Sequence, residues 1–187
     1  FEGWTDSSGK TYKEKQSVRN LSQTQGDIID FTAKWRPAEY KIIYNGGDGE
    51  TEGRMEPVIC QYEKSTVLSE NLYLKTGYHF KEWNTEKDGK GSSYSPGQEV
   101  KNLTSEDGKT VNLYAQWEPN QYKVMFRPEG GICSVEEKNV VYGQPIGELP
   151  KAEREDYLFL GWYGDDYSSS VNKDTIYETA DNSIFTA

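Results

Sequence analysis

The chain has 187 residues and carries 31 acidic against 21 basic side chains, a formal net charge of −10. A surface of that sign repels phosphate, which argues against nucleic acid and anionic membranes as partners, and no apolar run is long enough to insert into a bilayer within this segment. Aromatics make up 13% of the chain within a hydrophobic total of 34%, so disorder is excluded despite the polarity, and the core must be built from large flat rings because aliphatics are scarce.

The length fits one domain or two small ones. No signal peptide is visible, and the chain opens in mid-pattern on Phe1, so it reads as a piece of something longer. The pattern is a repeat. The phrases FEGWT, FKEWN and FLGWY begin at Phe1, Phe80 and Phe159, 79 residues apart each time. A second phrase follows each: DFTAKW ends at Trp35, LYAQW ends at Trp117, and the chain stops within the third at Ala187. A third phrase opens the next unit, AEYKIIYN around Tyr40 and NQYKVMFRPEGG around Tyr122, with Gly-Gly pairs at Gly46 and Gly130. The expected organisation is therefore residues 1–37 as the C-terminal half of a repeat, 38–119 as a complete repeat, and 120–187 as a repeat lacking the end of its last strand. The linkers at 36–38 and 118–120 are short and each contains Pro, which restricts how neighbouring units move.

Within the central unit, YKIIY at 40–44 is β-branched and aromatic and predicts a strand. The Gly-rich run at 45–49 predicts a turn. PVICQY at 57–62 predicts a second strand, matched by NVVY at 139–142. Residues 65–74 fit one or two helical turns, with Ser65 as N-cap, Val67, Leu68 and Leu72 near helical spacing, and Gly77 as C-cap; Pro145 and Pro150 keep the counterpart in the last unit short. FKEWN opens an extended segment in which a bulge or twist turns both rings inward. Residues 88–97 read as loop. Val100 recurs as Val18 and Ile176, a core anchor, and VNLYAQW at 111–117 closes the unit as an alternating strand. The fold class is α+β, mostly β: a small sheet crossed by one short helical piece.

Several stretches resemble chemistry. Residues 84–89 open like a calcium loop, but the position where an EF-hand needs its bidentate carboxylate holds Ser95; a solvated loop is the preferred reading. The run at 46–49 fails the calcium β-helix pattern at Thr51. Asn20-Leu21-Ser22 and Asn102-Leu103-Thr104 match the glycosylation sequon at equivalent repeat positions, and a turn after the core anchor is preferred. His79 is the sole histidine and is replaced by Leu158 in the next unit, so no His-based nucleophile set repeats. The acidic pair Asp165-Asp166 has no counterpart in the other units that would mark a glycosidase cleft. Cys60 and Cys133 occupy different repeat positions, which favours a free buried thiol at Cys60 over a bridge. Trp4, Trp83 and Trp162 are placed identically in every unit, and core packing is preferred for them over a sugar-stacking platform.

Taken together, Tyr122, Val124, Phe126, Gly130 and Gly131, then Gly77, Tyr78, Phe80 and Trp83, then Leu113, Tyr114, Ala115 and Trp117 resemble the Listeria–Bacteroides repeat, similar to the B-repeats of internalin surface proteins. The resemblance covers essentially the whole chain. Glu82 and Asp156 depart from it, each standing where the family has Gly. It implies tandem small β-grasp-like (ubiquitin-like) domains on a bacterial cell-surface or secreted protein, acting as stalk, spacer or adhesion module. It brings no catalytic residues, no metal and no cofactor, so an enzyme is not expected. The expected structural signature is Phe1, Trp4, Trp35, Phe80, Trp83, Trp117, Phe159 and Trp162, with neighbouring repeats as partners. The alternative is a module that binds a host protein or glycan through exposed aromatics. Exposure of Trp83 and Trp162 discriminates the two.

Overall fold

A computed structural model describes residues 1–164 and 169–187; the acidic pair Asp165-Asp166 lies outside the described residues. The described chain forms three larger sheets in succession and two two-stranded pairs, one in the central unit and one in the last. The first holds β1 (Gly3–Asp6), β2 (Thr11–Tyr12) and β3 (Phe31–Lys34), in the order β2-β1-β3. The central unit contributes β4 (Glu39–Asn45), β5 (Val58–Gln61), β6 (Thr66–Val67), β7 (Tyr78–Asn84), β8 (Ser93–Tyr94), β9 (Glu99–Val100) and β10 (Thr110–Pro119). Five of these make a sheet in the order β5-β4-β10-β7-β8, and β6 pairs with β9 outside it. The last unit follows with β11 (Gln121–Arg127), β12 (Ile132–Cys133), β13 (Glu137–Val141), β14 (Ala152–Glu153), β15 (Trp162–Tyr163), β16 (Ser170–Val171) and β17 (Ser183–Thr186). Its sheet runs β13-β11-β17-β15-β16, the same order of equivalent strands, and β12 pairs with β14 outside it.

Each five-stranded sheet is mixed. The first and last strands of a unit, β4 with β10 and β11 with β17, lie side by side and parallel, while every other pair in the sheet is antiparallel. Period-two patterning explains which side is covered. Along β4, Tyr40, Ile42 and Tyr44 face in while Glu39 and Lys41 face solvent. On β10, Leu113 and Ala115 face the same core. Met55, Cys60, Leu68, Trp83 and Val100 complete it. The last unit builds a separate core around Val124, Phe126, Val140, Ile146, Trp162 and Phe185.

The helical piece expected over 65–74 does not form, and the described residues contain no helix at all. The fold is therefore all-β, which overturns the α+β, β-grasp-like expectation with its helical segment. The physical reason is backbone satisfaction by partners elsewhere in the chain. Thr66 and Val67 pair with Val100 and Glu99. The Leu68 N–H donates to the Gln98 carbonyl, whose turn returns a bond from the Gly97 N–H to the Leu68 carbonyl. Leu74 and Glu52 exchange both bonds, each 2.9 Å. Only Leu68 of the supposed apolar stripe is buried, whereas Val67, Leu72 and Leu74 are exposed. Helical spacing and a short extended run are hard to separate when so few positions are read.

The core anchor needs a second correction. Val100 is buried, but Ile176 and Val18 are exposed. In the last unit Ile146 N–H bonds to Thr175 as Leu68 N–H bonds to Gln98, so the residue equivalent to Val100 is Tyr177, which is buried. A one-residue shift in register exchanges the faces of a strand.

The aromatic pair at helical spacing is resolved by a bulge. Along β7, Trp83 opposes Ala115 and Glu82 opposes Gln116, but the next pair is Phe80 with Trp117, so Lys81 is the extra residue. Without it, residues three apart would point to opposite faces. With it, the rings of Phe80 and Trp83 meet at 4.8 Å between centroids. Deleting Lys81 is therefore expected to turn Phe80 outward and lower the thermal midpoint of the central unit, read by near-ultraviolet circular dichroism; an unchanged midpoint and aromatic spectrum would show that the bulge does not set the packing.

Candidate functional site

The repeated tryptophans are the first candidates for a ligand platform. Trp83 is 0% exposed and Trp162 is 1% exposed. Each ring nitrogen is satisfied internally: Trp83 Nε1 donates to the Ser69 carbonyl at 3.1 Å, and Trp162 Nε1 to the Pro150 carbonyl at 2.6 Å. Trp117, partly buried, packs on Phe80 and donates from Nε1 to the Gly46 carbonyl at 2.8 Å. Phe80 and Phe159 are half-buried against their cores. Phe1, Trp4 and Trp35 differ: Phe1 meets Trp4 and Trp35 edge-on with centroids 5.3 Å apart in each pair, yet Trp35 is 72% exposed. The cause is the absence, among the described residues, of a strand beside β3 equivalent to β4.

The loop after Trp83 is closed by an amide. Asn84 is fully buried. Its Oδ1 accepts from the backbone N–H groups of Glu86 and Gly91, at 2.9 and 3.0 Å. Its Nδ2 donates to the Gly89 and Gly91 carbonyls and to Ser93 Oγ. The side chain thus ties the loop from Glu86 to Ser93 together from within. In the first unit Asp6 does similar work: Oδ1 accepts from Ser8 and from the Lys10 N–H, and Oδ2 accepts from the Tyr12 hydroxyl at 2.7 Å. Those bonds, Ser8 foremost and then Tyr12, hold its pKa down at about 2. Among the described residues no cluster of three or more His, Cys, Asp or Glu is placed to hold a metal ion.

The sequon asparagines are turn residues. Asn20 and Asn102 both adopt left-handed backbone, φ 54° and 56°, a conformation Asn tolerates. Asn102 Oδ1 accepts from the Glu63 N–H at 2.6 Å and Nδ2 donates to the Glu63 carboxylate. Cys60 is free and buried, and Cys133 is free. Asp156, standing where the family has Gly, keeps that geometry with φ 64°, close to the 77° of Gly77.

Two junctions join the units. At the first, Arg36 grips Asp107 with both guanidinium nitrogens, at 2.8 and 2.6 Å, while the same carboxylate accepts from the Glu39 N–H. Arg36 holds the Asp107 carboxyl down at about 2. At the second, only Asn120 separates β10 from β11. Its N–H donates to the Gly77 carbonyl and its carbonyl accepts from the Tyr142 N–H. Its side chain meets His79 Nδ1 at 2.8 Å, and Tyr78 stacks edge-on against Tyr142 at 5.5 Å.

A surface groove recurs beside the repeated Phe, at Phe80 and at Phe159. In the last unit it has a volume of about 380 Å³ and is lined by Pro128, Arg154, Tyr157, Leu158, Phe159 and Tyr163, among others. The Arg154 guanidinium lies 3.9 Å from the Tyr157 ring centroid, as Lys75 lies 4.4 Å from that of Tyr78 in the central unit. Periodicity alone did not reveal this repeated cation–aromatic pair; its signal was a basic residue three positions before the Tyr in both units.

The Listeria-Bacteroides repeat domain matches residues 40–116 and 122–187. The chain belongs to that family. It is also similar to two proteins of Evansella cellulosilytica. One, provisionally named a Gly-rich membrane protein, is 35% identical over 89% of this chain and 19% of its own length. The other, provisionally named a membrane protein, is 28% identical over 77% of this chain and 21% of its own length. The chain thus spans about a fifth of the curated relatives it matches.

Two outcomes follow from the closed loop and the first junction. Asn84→Asp removes the donor from two carbonyls and a hydroxyl, so it is expected to cost about 1–3 kcal/mol of stability in denaturant titration. Calcium at millimolar concentration is expected not to restore it; restoration would make the loop a cation site. The Asp107 carboxyl, depressed from 3.8 to about 2, favours the folded junction above pH 3.8, and that contribution is lost as pH falls through about 2. Asp107→Asn is expected to flatten this acid limb in thermal melts. A variant whose acid limb matches the parent's would show that the pair contributes nothing to folding.

Proposed function

We propose that this chain is a non-catalytic stalk or spacer of a bacterial cell-surface or secreted protein, made of successive units at 1–37, 38–119 and 120–187. The observation that carries the reading is the burial of Trp83 and Trp162 with both ring nitrogens bonded internally. A ring with no exposed face cannot stack on a sugar or a partner. Trp83 and Trp162 accordingly fit a core role in the second and third units. The junction supports the same reading, because one residue between β10 and β11, bonded on both sides, leaves little freedom between units. Family membership and the membrane-protein names of the relatives agree with a surface location.

A second reading, a module that binds host protein or glycan, is favoured by one feature. In the last unit Tyr157, Leu158 and Leu160 are 66%, 83% and 78% exposed beside the groove. Such contiguous apolar exposure marks interaction sites on soluble proteins. The test is a glycan array and a host-protein pull-down with the 187-residue chain and with a Tyr157→Ala, Leu158→Ala variant. The spacer reading expects no reproducible binding by either chain. Binding by the parent that disappears in the variant would replace it with an adhesion function.

A further inference from the structure

A spacer between a cell and its surroundings carries tension, and the topology of each complete unit determines how that tension reaches the backbone. The chain enters the central unit at Glu39 and leaves it at Pro119, and the strands bearing those two ends are hydrogen-bonded neighbours running in the same direction. Their register pairs Lys41 with Thr110 at one end and Asn45 with Tyr114 at the other, and β10 continues past Tyr114 to the exit. The entrance therefore lies at the bottom of the ladder and the exit at its top. Pulling the two ends apart slides one strand along the other, so all bonds of the ladder share the load and must fail together. In an antiparallel pair joined at one end, the same pull would open bonds one at a time. The last unit repeats the arrangement, with Val124 opposite Ser183 and Arg127 opposite Thr186.

We propose that the parallel pair of terminal strands is a mechanical clamp that lets each complete unit resist stretching along the chain. Side chains reinforce the ladder at both ends. At the bottom, Asp107, held by Arg36, accepts from the Glu39 N–H, the Gly108 N–H donates to the Glu39 carbonyl at 2.7 Å, and the Lys41 N–H donates to the Lys109 carbonyl. At the top, Asn45 Nδ2 donates to the Leu113 carbonyl and Trp117 Nε1 donates to the Gly46 carbonyl, each crossing between the two strands or their extensions. Ile42 and Leu113 on the ladder are fully buried, so water cannot readily replace the bonds as they lengthen. Resistance to force is a matter of unfolding rate, and the direction of pull changes it without any change in equilibrium stability.

The clamp deepens the spacer reading and rests on it only for its use in the cell; the measurement below probes the clamp whatever the chain binds. The 187-residue chain carrying Cys133→Ser is stretched in single-molecule force spectroscopy between handles at residues 1 and 187, which shears the central unit. The same chain with Glu50→Cys is stretched between residues 50 and 187, which pulls both strands from the Asn45–Tyr114 end and peels them apart. The last unit is loaded identically in both and serves as an internal reference. The central unit is expected to yield at a several-fold higher force in the first geometry. Equal forces, or a lower force in the first, would overturn the clamp while leaving the spacer reading to be decided by its own binding assay.

Discussion

Trp83 lies between Tyr44, Phe80 and Tyr73, with ring centroids 4.7, 4.8 and 6.4 Å away, and its nitrogen is tied to the Ser69 carbonyl. That single indole connects the entrance strand, the bulged strand and the extended crossing segment. Across the ladder its neighbour is Ala115, and in the first sheet Trp4 faces Ala33 in the same way. The small residue leaves room for the large one, so the Trp of one phrase and the Ala of the next form one packing unit written 32 and 29 positions apart. The bulge at Lys81 follows from the same demand, because a regular strand could not aim both Phe80 and Trp83 at that space.

How much of this was legible depends on what kind of signal each element writes. The strands β4, β5 and β10 alternate or cluster in a way that a single face of a sheet requires, and the repeat placed their equivalents in the last unit. The segment at 65–74 misled because it is held by distant partners: Thr66 by Val100, Leu74 by Glu52. No local pattern encodes a partner more than twenty residues away, and Val67 and Leu72 at helical spacing are exposed for reasons unrelated to a helix. The alignment of Ile176 with Val100 failed in a related manner, since the buried residue is Tyr177. Repeat alignment counts positions, whereas burial follows pairing, and Gln144 bonded to Tyr177 selects the face. For the candidate site, the repeat puts Trp83 and Trp162 in equivalent places, and both are buried; the partners of their ring nitrogens and the Asn84 bonds that hold the loop after Trp83 come from positions the pattern does not mark.

The units keep their skeleton while changing their surfaces. Gly77 and Asp156 share a left-handed backbone, so the turn survives the loss of glycine. Cys60 and Val140 occupy equivalent places opposite Tyr40 and Tyr122, two buried groups of similar volume. Lys75 and Arg154 each cover a tyrosine, but Lys75 also pairs with Asp48 at 2.5 Å, whereas Arg154 reaches the Glu129 carbonyl. The residue after that tyrosine is His79 in one unit and Leu158 in the other; His79 meets Asn120, and Leu158 is exposed. The differences thus fall both in the cores and where a side chain meets solvent or a neighbouring unit.

The junctions and the clamp depend on one another. A ladder resists shear when force arrives along its strands; a freely jointed unit swings until its two ends align with the pull, whereas a bonded junction limits how far neighbouring units rotate. Asn120 limits that rotation by bonding backward to Gly77 and forward to Tyr142, with Tyr78 and Tyr142 packed beside it. The strand that leaves one unit therefore continues almost directly into the strand that enters the next, β10 into β11. At the first junction the chain achieves this with a bidentate ion pair, and Asp107 serves both the linker and the foot of the ladder. Two chemically different junctions thus hold the linker beside the entrance strand, through Asp107 at the first and the Tyr142 N–H at the second.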